Sequence, residues 1–258
     1  MRSATTSPQT SRPQLSDLSG NSLLKRLSGD EQRRLASRME LVPALPGEIL
    51  FRRGEAMGWV YFPLDCVVSL RGTCGDSGGP TFDAVGNEGF VGVSLFMGGR
   101  AATHAGELLS GGRYLKLKAP LLRQELRRSL ALERLLLRYA QGFITQALWS
   151  AQCRGHHDPL KRVCTSILLC GDRLSQPRNG VTIELVAASL DLQAAEVGGL
   201  LRGLQQLGHV NARGGYIRIT GRAGLEAMAC RCYAEVRQEL AVHVAGRRAA
   251  LSNPAARS

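Results

Sequence analysis

Ser77 lies in TCGDSGGP, residues 73–80, with Gly75 and Gly79 two positions to either side. Gly-x-Ser-x-Gly is the spacing of a nucleophile elbow, and acyl transfer by Ser77 would need a histidine base and an oxyanion site. The order histidine, aspartate, serine of trypsin-like proteases is excluded, because all five histidines, from His104 to His243, follow Ser77. An elbow could use a later histidine, but a helix must follow the serine, and GGPTFDAVGNEG carries no helical pattern. Asp76, Ser77 and Gly79 are ordinary turn residues, so the stretch is expected to join two strands, with Ser77 hydrolysis as the remote alternative. The chain is therefore expected not to be an enzyme.

Two other groups could ligate a metal. Cys230 and Cys232 form a C-x-C pair, and His156 and His157 are adjacent. On a helix, side chains at i and i+2 point apart, and no partner pair stands at zinc-finger spacing. His156–His157 lacks a third ligand nearby. Neither group is expected to hold a metal, and no cofactor is expected. Seven scattered cysteines suit a reducing compartment better than a disulfide framework.

The charge balance points elsewhere. Thirty-three Lys and Arg against 21 Asp and Glu give a formal charge of +12 over 258 residues. Such a surplus favours a polyanion, nucleic acid before an anionic membrane surface. No apolar run approaches the ~20 residues of a membrane span, and the Ser/Thr/Pro-rich first 20 residues lack the apolar stretch of a signal peptide. The expected location is the cytoplasm, with no membrane partner.

A helix is predicted from residue 21, with Leu23, Leu24, Leu27, Leu35 and Met39 at helical spacing. Residues 41–118 alternate glycines with short β-prone runs, the pattern of an antiparallel sandwich or barrel. From Pro120 to about Cys153 the sequence is helical, and within it Leu132, Leu136, Tyr139, Phe143 and Ala147 make one apolar stripe on a long helix. That stripe could lie on the β domain or form a seam with a second copy of the chain. Asp158 and Pro159 then start another helix as cap and first turn.

Residues 181–220 are the most organised. Thr182 caps a short helix with Glu184 in its first turn, and a turn at 190–192 follows. A second helix then carries Val197, Leu200, Leu201, Leu204 and Leu207 and stops at Gly208. HVNARGGYIRIT alternates around Gly214–Gly215 as a hairpin. Helix, turn, helix and hairpin read as a winged helix-turn-helix, although an αα-hairpin beside a β-hairpin has the same outline. The basic chain and Arg213 and Arg218 in the hairpin favour double-stranded DNA as partner.

In this order the pieces resemble the Crp–Fnr transcriptional regulators. LPGEILFRRGE and VYFPLDCVVSL match early strands of a cyclic-nucleotide-binding-like β-roll, VGNEGFVGVSLFMGG its ligand cradle, and 182–207 its helix-turn-helix. YFP, VGNEGFVG, LLLRYAQGFITQ and RGHH look like a bacterial subgroup whose effector is generally undefined. The resemblance implies an α+β fold: an N-terminal antiparallel, jelly-roll-like β-roll, a long dimerisation helix and a C-terminal winged helix-turn-helix. The implied domains are a disordered tail at 1–20, a sensory β-roll at 21–128, a dimerisation helix at 129–154, a DNA-binding domain at 155–223, and a last helix with a disordered tail at 224–258. It also implies a homodimer whose seam is Leu132, Leu136, Tyr139, Phe143 and Ala147, reading a two-fold operator.

The chain departs from the family in three places. Members that bind cyclic AMP have Gly-Glu in the cradle and an arginine about ten positions on; here Val93 follows Gly92, and the arginine position falls at Thr103 or His104. Gly89, Val91, Gly92, Thr103 and His104 are therefore expected to line a pocket for an unidentified small-molecule effector other than cyclic AMP. No cysteine precedes Cys66, which removes the iron–sulfur site of the Fnr branch. The recognition helix carries Ala194, Ala195 and Gly199 where base-reading side chains usually stand. Thr182, Gln193, Glu196, Arg202, Arg213 and Arg218 are left as the DNA-facing set, with weakened base readout expected.

Overall fold

The computed structural model describes residues 10–72, 81–174 and 181–245. TCGDSGGP lies outside them, as do both ends of the chain. A short helix α1 (Leu15–Leu18) and a 3₁₀ turn (Leu24–Arg26) lead into α2 (Gly29–Ala36). The helix predicted from residue 21 is thus broken, and Ser28 is the cause. Its N–H donates to Glu31 Oε2 at 2.8 Å, while Glu31 N–H donates back to Ser28 Oγ, a capping box that starts a new helix. Asn21, fully buried, donates through Nδ2 to the carbonyls of Pro63 (3.0 Å) and Gly89 (2.8 Å), pinning this segment to the strands behind it.

Seven strands follow: β1 (Glu40–Ala44), β2 (Ile49–Phe51), β3 (Trp59–Pro63), β4 (Val68–Arg71), β5 (Thr81–Val85), β6 (Ala105–Leu108) and β7 (Gly112–Lys118), with a one-turn helix α3 (Val93–Phe96) before β6. They form two antiparallel sheets, ordered β1-β7-β3 and β2-β6-β4-β5. Phe62, Phe90, Leu108, Leu115 and Leu117 fill the space they enclose. Because β5 pairs with β4, a strand rather than a helix follows Ser77, and the strand–turn–helix context of a nucleophile elbow is missing.

The helical stretch expected from Pro120 is made of α4 (Ala119–Arg128) and the long α5 (Leu130–His156). Ser129 separates them: its backbone is extended, its Oγ accepts from Leu132 N–H at 3.0 Å, and its hydroxyl bonds Glu31. Then come α6 (Pro159–Arg173), β8 (Val181–Thr182), α7 (Ile183–Leu190), α8 (Ala194–Gln206), β9 (Val210–Arg213), β10 (Tyr216–Ile219), α9 (Arg222–Met228) and α10 (Arg231–Ala245). Asp158 caps α6 as expected, accepting from Leu160 N–H at 2.8 Å. A second core of Val163, Ile167, Leu168, Leu185, Val197, Leu201 and Leu204 holds these helices, and Val67 and Ala84 of the β-roll enter it. Helix α10 packs along α5. Among the described residues no helix is long and apolar enough to cross a membrane.

Candidate nucleic-acid interface and sensory cradle

Thr182 ends β8 and caps α7, its Oγ1 accepting from Leu185 N–H at 3.0 Å. Asp191 takes the left-handed conformation (φ 57°) in the turn, so α8 starts only three residues later, at Ala194. Val197, Leu201 and Leu204 bury one side of α8, and its other side is open. Gln193 and Glu196 sit at the exposed start of α8 but are engaged with each other: Gln193 N–H donates to Glu196 Oε2 at 2.7 Å in a capping box. Arg202 is exposed one and a half turns on, and only its own guanidinium approaches the bare Cα of Gly199. Helix α8 stops before Gly208 (φ 74°), whose neighbour His209 donates N–H back to Leu204 O at 3.0 Å.

The hairpin turns at Gly214 (φ 59°) and Gly215 (φ 82°), the conformation of a tight two-residue connection. Its register places Asn211 opposite Arg218 and Arg213 opposite Tyr216, and Tyr216 in turn lies beside Thr182. Ala212, Ile217 and Ile219 pack inward, so Asn211, Arg213, Tyr216 and Arg218 share the outer face. Among the described residues none of Arg202, Arg213 and Arg218 pairs with a carboxylate. The six residues of the predicted DNA-facing set therefore fall on one winged helix-turn-helix. Two of them, Thr182 and Glu196, also hold helix ends.

The cradle residues are not gathered in this way. Gly89 lies under Tyr139 of α5: a Cβ there would stand 2.1 Å from the phenolic oxygen. Phe90 packs against the same ring, tilted, with centroids 5.1 Å apart. Val91 is buried and exchanges backbone hydrogen bonds with Tyr61, and Gly92 (φ 123°) faces Val60. Thr103 is exposed, and the neighbouring His104 packs edge-on against Phe51 at 5.7 Å. Burial holds the His104 imidazole below its ordinary pKa. None of the five lines the cleft beside α3, which is bordered by Met57, Leu95, Phe96, Arg100 and Arg123.

The stripe predicted as a seam between two chains is used within one chain. Leu132, Leu136 and Tyr139 are buried in the β-roll core and Phe143 packs against it, with Ala147 half-buried. The exposed apolar residues of α5 are others: Leu130 (57%), Leu137 (54%), Ile144 (47%) and Leu148 (67%). Their spacing of seven, seven and four is a heptad pattern displaced from the predicted one.

Where α5 ends, two groups read separately as non-ligating come together. Cys230 is not on a helix: it lies in the break between α9 and α10, so it and Cys232 do not diverge as i and i+2 of a helix would. Cys153 and His157 stand one turn apart at the end of α5, and one ligand atom from each of the four residues lies within 4.8 Å of the others. His156, the exposed neighbour, is not in the group. The sequence signal was Cys-x₃-His at a helix end together with Cys-x-Cys at a helix start. Another buried cluster ties the two cores. Arg173 of α6 donates from Nε to Glu88 at 2.9 Å and stands 3.9 Å from Asp83 of β5, which also accepts from Gln146 of α5 and from Ala84 N–H.

No protein-family model matches the chain, and no curated protein does. Solved structures do match. The c-di-GMP-responsive regulator CLP of Xanthomonas campestris is 19% identical over 75% of this chain and all of its own, with a TM-score of 0.54. FixK2 of Bradyrhizobium japonicum is 17% identical over 74% of this chain and 96% of its own, and a CRP-family transcriptional regulator of Thermus thermophilus 16% over 72% and 95%, both with a TM-score of 0.58. A β-roll, a long connecting helix and a winged helix-turn-helix, in that order, give this chain the fold of the Crp/Fnr transcriptional regulators.

Proposed function

We propose that the chain is a DNA-binding transcriptional regulator that acts as a homodimer under a sensory β-roll. The observation that carries this reading is the exposure of Arg202 on α8 and of Arg213 and Arg218 on the β9–β10 hairpin that packs beside it, in a chain of charge +12. Phosphates are the natural partners of such a face. Base edges have less to meet: Ala194, Ala195, Gly198, Gly199 and Gly203 leave much of α8 bare, and an added Cβ at Gly198 or Gly203 would meet nothing within 4 Å. Recognition then leans on phosphate charge and DNA shape. The exposed heptad residues Leu130, Leu137, Ile144 and Leu148 supply the dimer seam, and the cleft with Arg100 and Arg123 suits an anionic effector.

Fluorescence anisotropy with the chain's own promoter and with random duplex, at several salt concentrations, tests this. Changing Arg202, Arg213 and Arg218 together to Ala is expected to weaken binding and to flatten the log–log salt slope by roughly 3 per protomer, about 0.9 for each phosphate that is no longer neutralised. An unchanged slope and affinity refute the assignment. Equal affinity of the unaltered protein for both duplexes would favour the second reading that the bare α8 face supports, a dimerising sensor without sequence-specific readout.

A further inference from the structure

We propose that Cys153, His157, Cys230 and Cys232 form a binding site for a thiophilic divalent metal, zinc(II) first, that clasps α10 to the end of α5. The ligand set is complete for this chemistry: three thiols and one imidazole are the Cys₃His donors of closed, four-coordinate zinc sites. The spacing agrees. Cys153 Sγ lies 3.4 Å from Cys230 Sγ, and Cys232 Sγ lies 3.5 Å from His157 Nδ1. A tetrahedron with zinc–sulfur bonds of ~2.3 Å and a zinc–nitrogen bond of ~2.05 Å has edges of about 3.7 and 3.5 Å. A disulfide would need its sulfurs at about 2.05 Å and would leave the third thiol and the imidazole unused.

The backbone explains how four residues so far apart in sequence converge. Cys153 is on the last turn of α5 and His157, four residues on, is the residue that ends it, its N–H donating to Cys153 O at 3.2 Å, which holds the two beside each other at the helix end. Cys230 precedes α10 and Cys232 is its second residue, and the positive end of that 15-residue helix favours thiolates. The three cysteines are buried, and Trp149 packs against them. Thr165 of α6 supports the cluster, its Oγ1 lying 3.0 Å from Cys230 Sγ and accepting from Cys230 N–H at 3.1 Å. A metal here joins the end of α5 to the start of α10, with Thr165 of α6 hydrogen-bonded beside it, and leaves no open coordination position, so its role is structural.

The test uses the full-length chain, reduced and freed of metal by chelation, then titrated with cobalt(II) and zinc(II). One equivalent of cobalt(II) per chain is expected, with the visible bands of a tetrahedral ion and near-ultraviolet thiolate charge transfer, both removed by one equivalent of zinc(II). His157→Ala is expected to weaken zinc binding at least about tenfold. His156→Ala, one residue away and outside the cluster, is expected to leave it unchanged and so controls for the local helix end. Cys232→Ser is expected to remove the charge-transfer intensity of one thiolate. Circular dichroism shows whether each variant is folded, and a rise in Tm on adding zinc(II) to the unaltered protein reports the clasp without any variant. Octahedral or absent cobalt bands in the reduced protein would overturn the proposal, as would equal zinc affinity of His157→Ala and His156→Ala.

Discussion

Asp83→Asn isolates the cost of burying a carboxylate between the two cores. Asp83 is buried; its Oδ1 accepts from Ala84 N–H at 2.7 Å and from Gln146, and its Oδ2 has no partner among the described residues. Arg173 could compensate it but is engaged more closely by Glu88, at 2.9 Å against 3.9 Å. Burial therefore wins over the arginine, and the Asp83 carboxyl is pushed from 3.8 to about 6. A raised carboxylate pKa means that the folded state holds the proton more tightly than the unfolded chain. The contribution of Asp83 to stability is thus greatest at about pH 4 and below, and falls as the pH rises to about 6. The shift corresponds to about 3 kcal/mol between those limits. Asparagine stays neutral throughout. Urea unfolding of both proteins from pH 4 to pH 7, followed by circular dichroism, is expected to show the difference between them moving in favour of Asp83→Asn by about that amount. Taking the difference cancels the titration of other carboxylates. A difference that stays flat, or that moves toward the unaltered protein as the pH rises, would show that Arg173 outweighs burial and refute the reasoning.

Gly89→Ala is expected to destabilise by about 1–3 kcal/mol, because its Cβ would fall 2.1–2.4 Å from the Tyr139 ring in a filled core. Combining it with Tyr139→Leu should cost less than the sum of the single changes, as read from a double-mutant cycle in urea. Leu137→Glu with Leu148→Glu is expected to leave the fold intact, since both side chains are exposed within the chain, yet to convert a dimer to monomer in analytical ultracentrifugation. Leu136→Glu, facing the β-roll core, should instead prevent folding.

The winged helix-turn-helix was legible because its signals are local. Thr182 as cap, Gly208 as stop and Gly214–Gly215 as hairpin turn each act within a few residues, and each stands where its neighbours in sequence require. The partner of α5 was not legible in that way. Two apolar stripes run along this helix, one through Leu132, Leu136 and Tyr139 and one through Leu137, Ile144 and Leu148, and periodicity cannot say which meets the β-roll. The cysteine cluster was hidden by a boundary of one residue. With Cys230 inside a helix the C-x-C pair diverges; with Cys230 just before α10 it converges on two ligands from α5.

The cradle departs furthest from expectation, and its packing explains why. Residues 85–89, VGNEG, touch three other parts of the chain at once. Asn87 accepts from Ser22 N–H and Gly89 accepts from Asn21, Glu88 holds Arg173 of α6, and Gly89 receives Tyr139 of α5. Neither glycine has room to spare, since a Cβ at Gly86 would stand 2.5 Å from Arg173 Cβ and one at Gly89 would overlap the Tyr139 ring. This loop is filled by protein and is a packing junction between the β-roll, α5 and α6. Any displacement of this loop must be accommodated by Tyr139 of α5 and Arg173 of α6, against which its glycines are packed. Of the residues expected to line a ligand pocket, Gly89 thus stands where the β-roll is packed tightly against α5, with Gly86 three residues before it packed against α6.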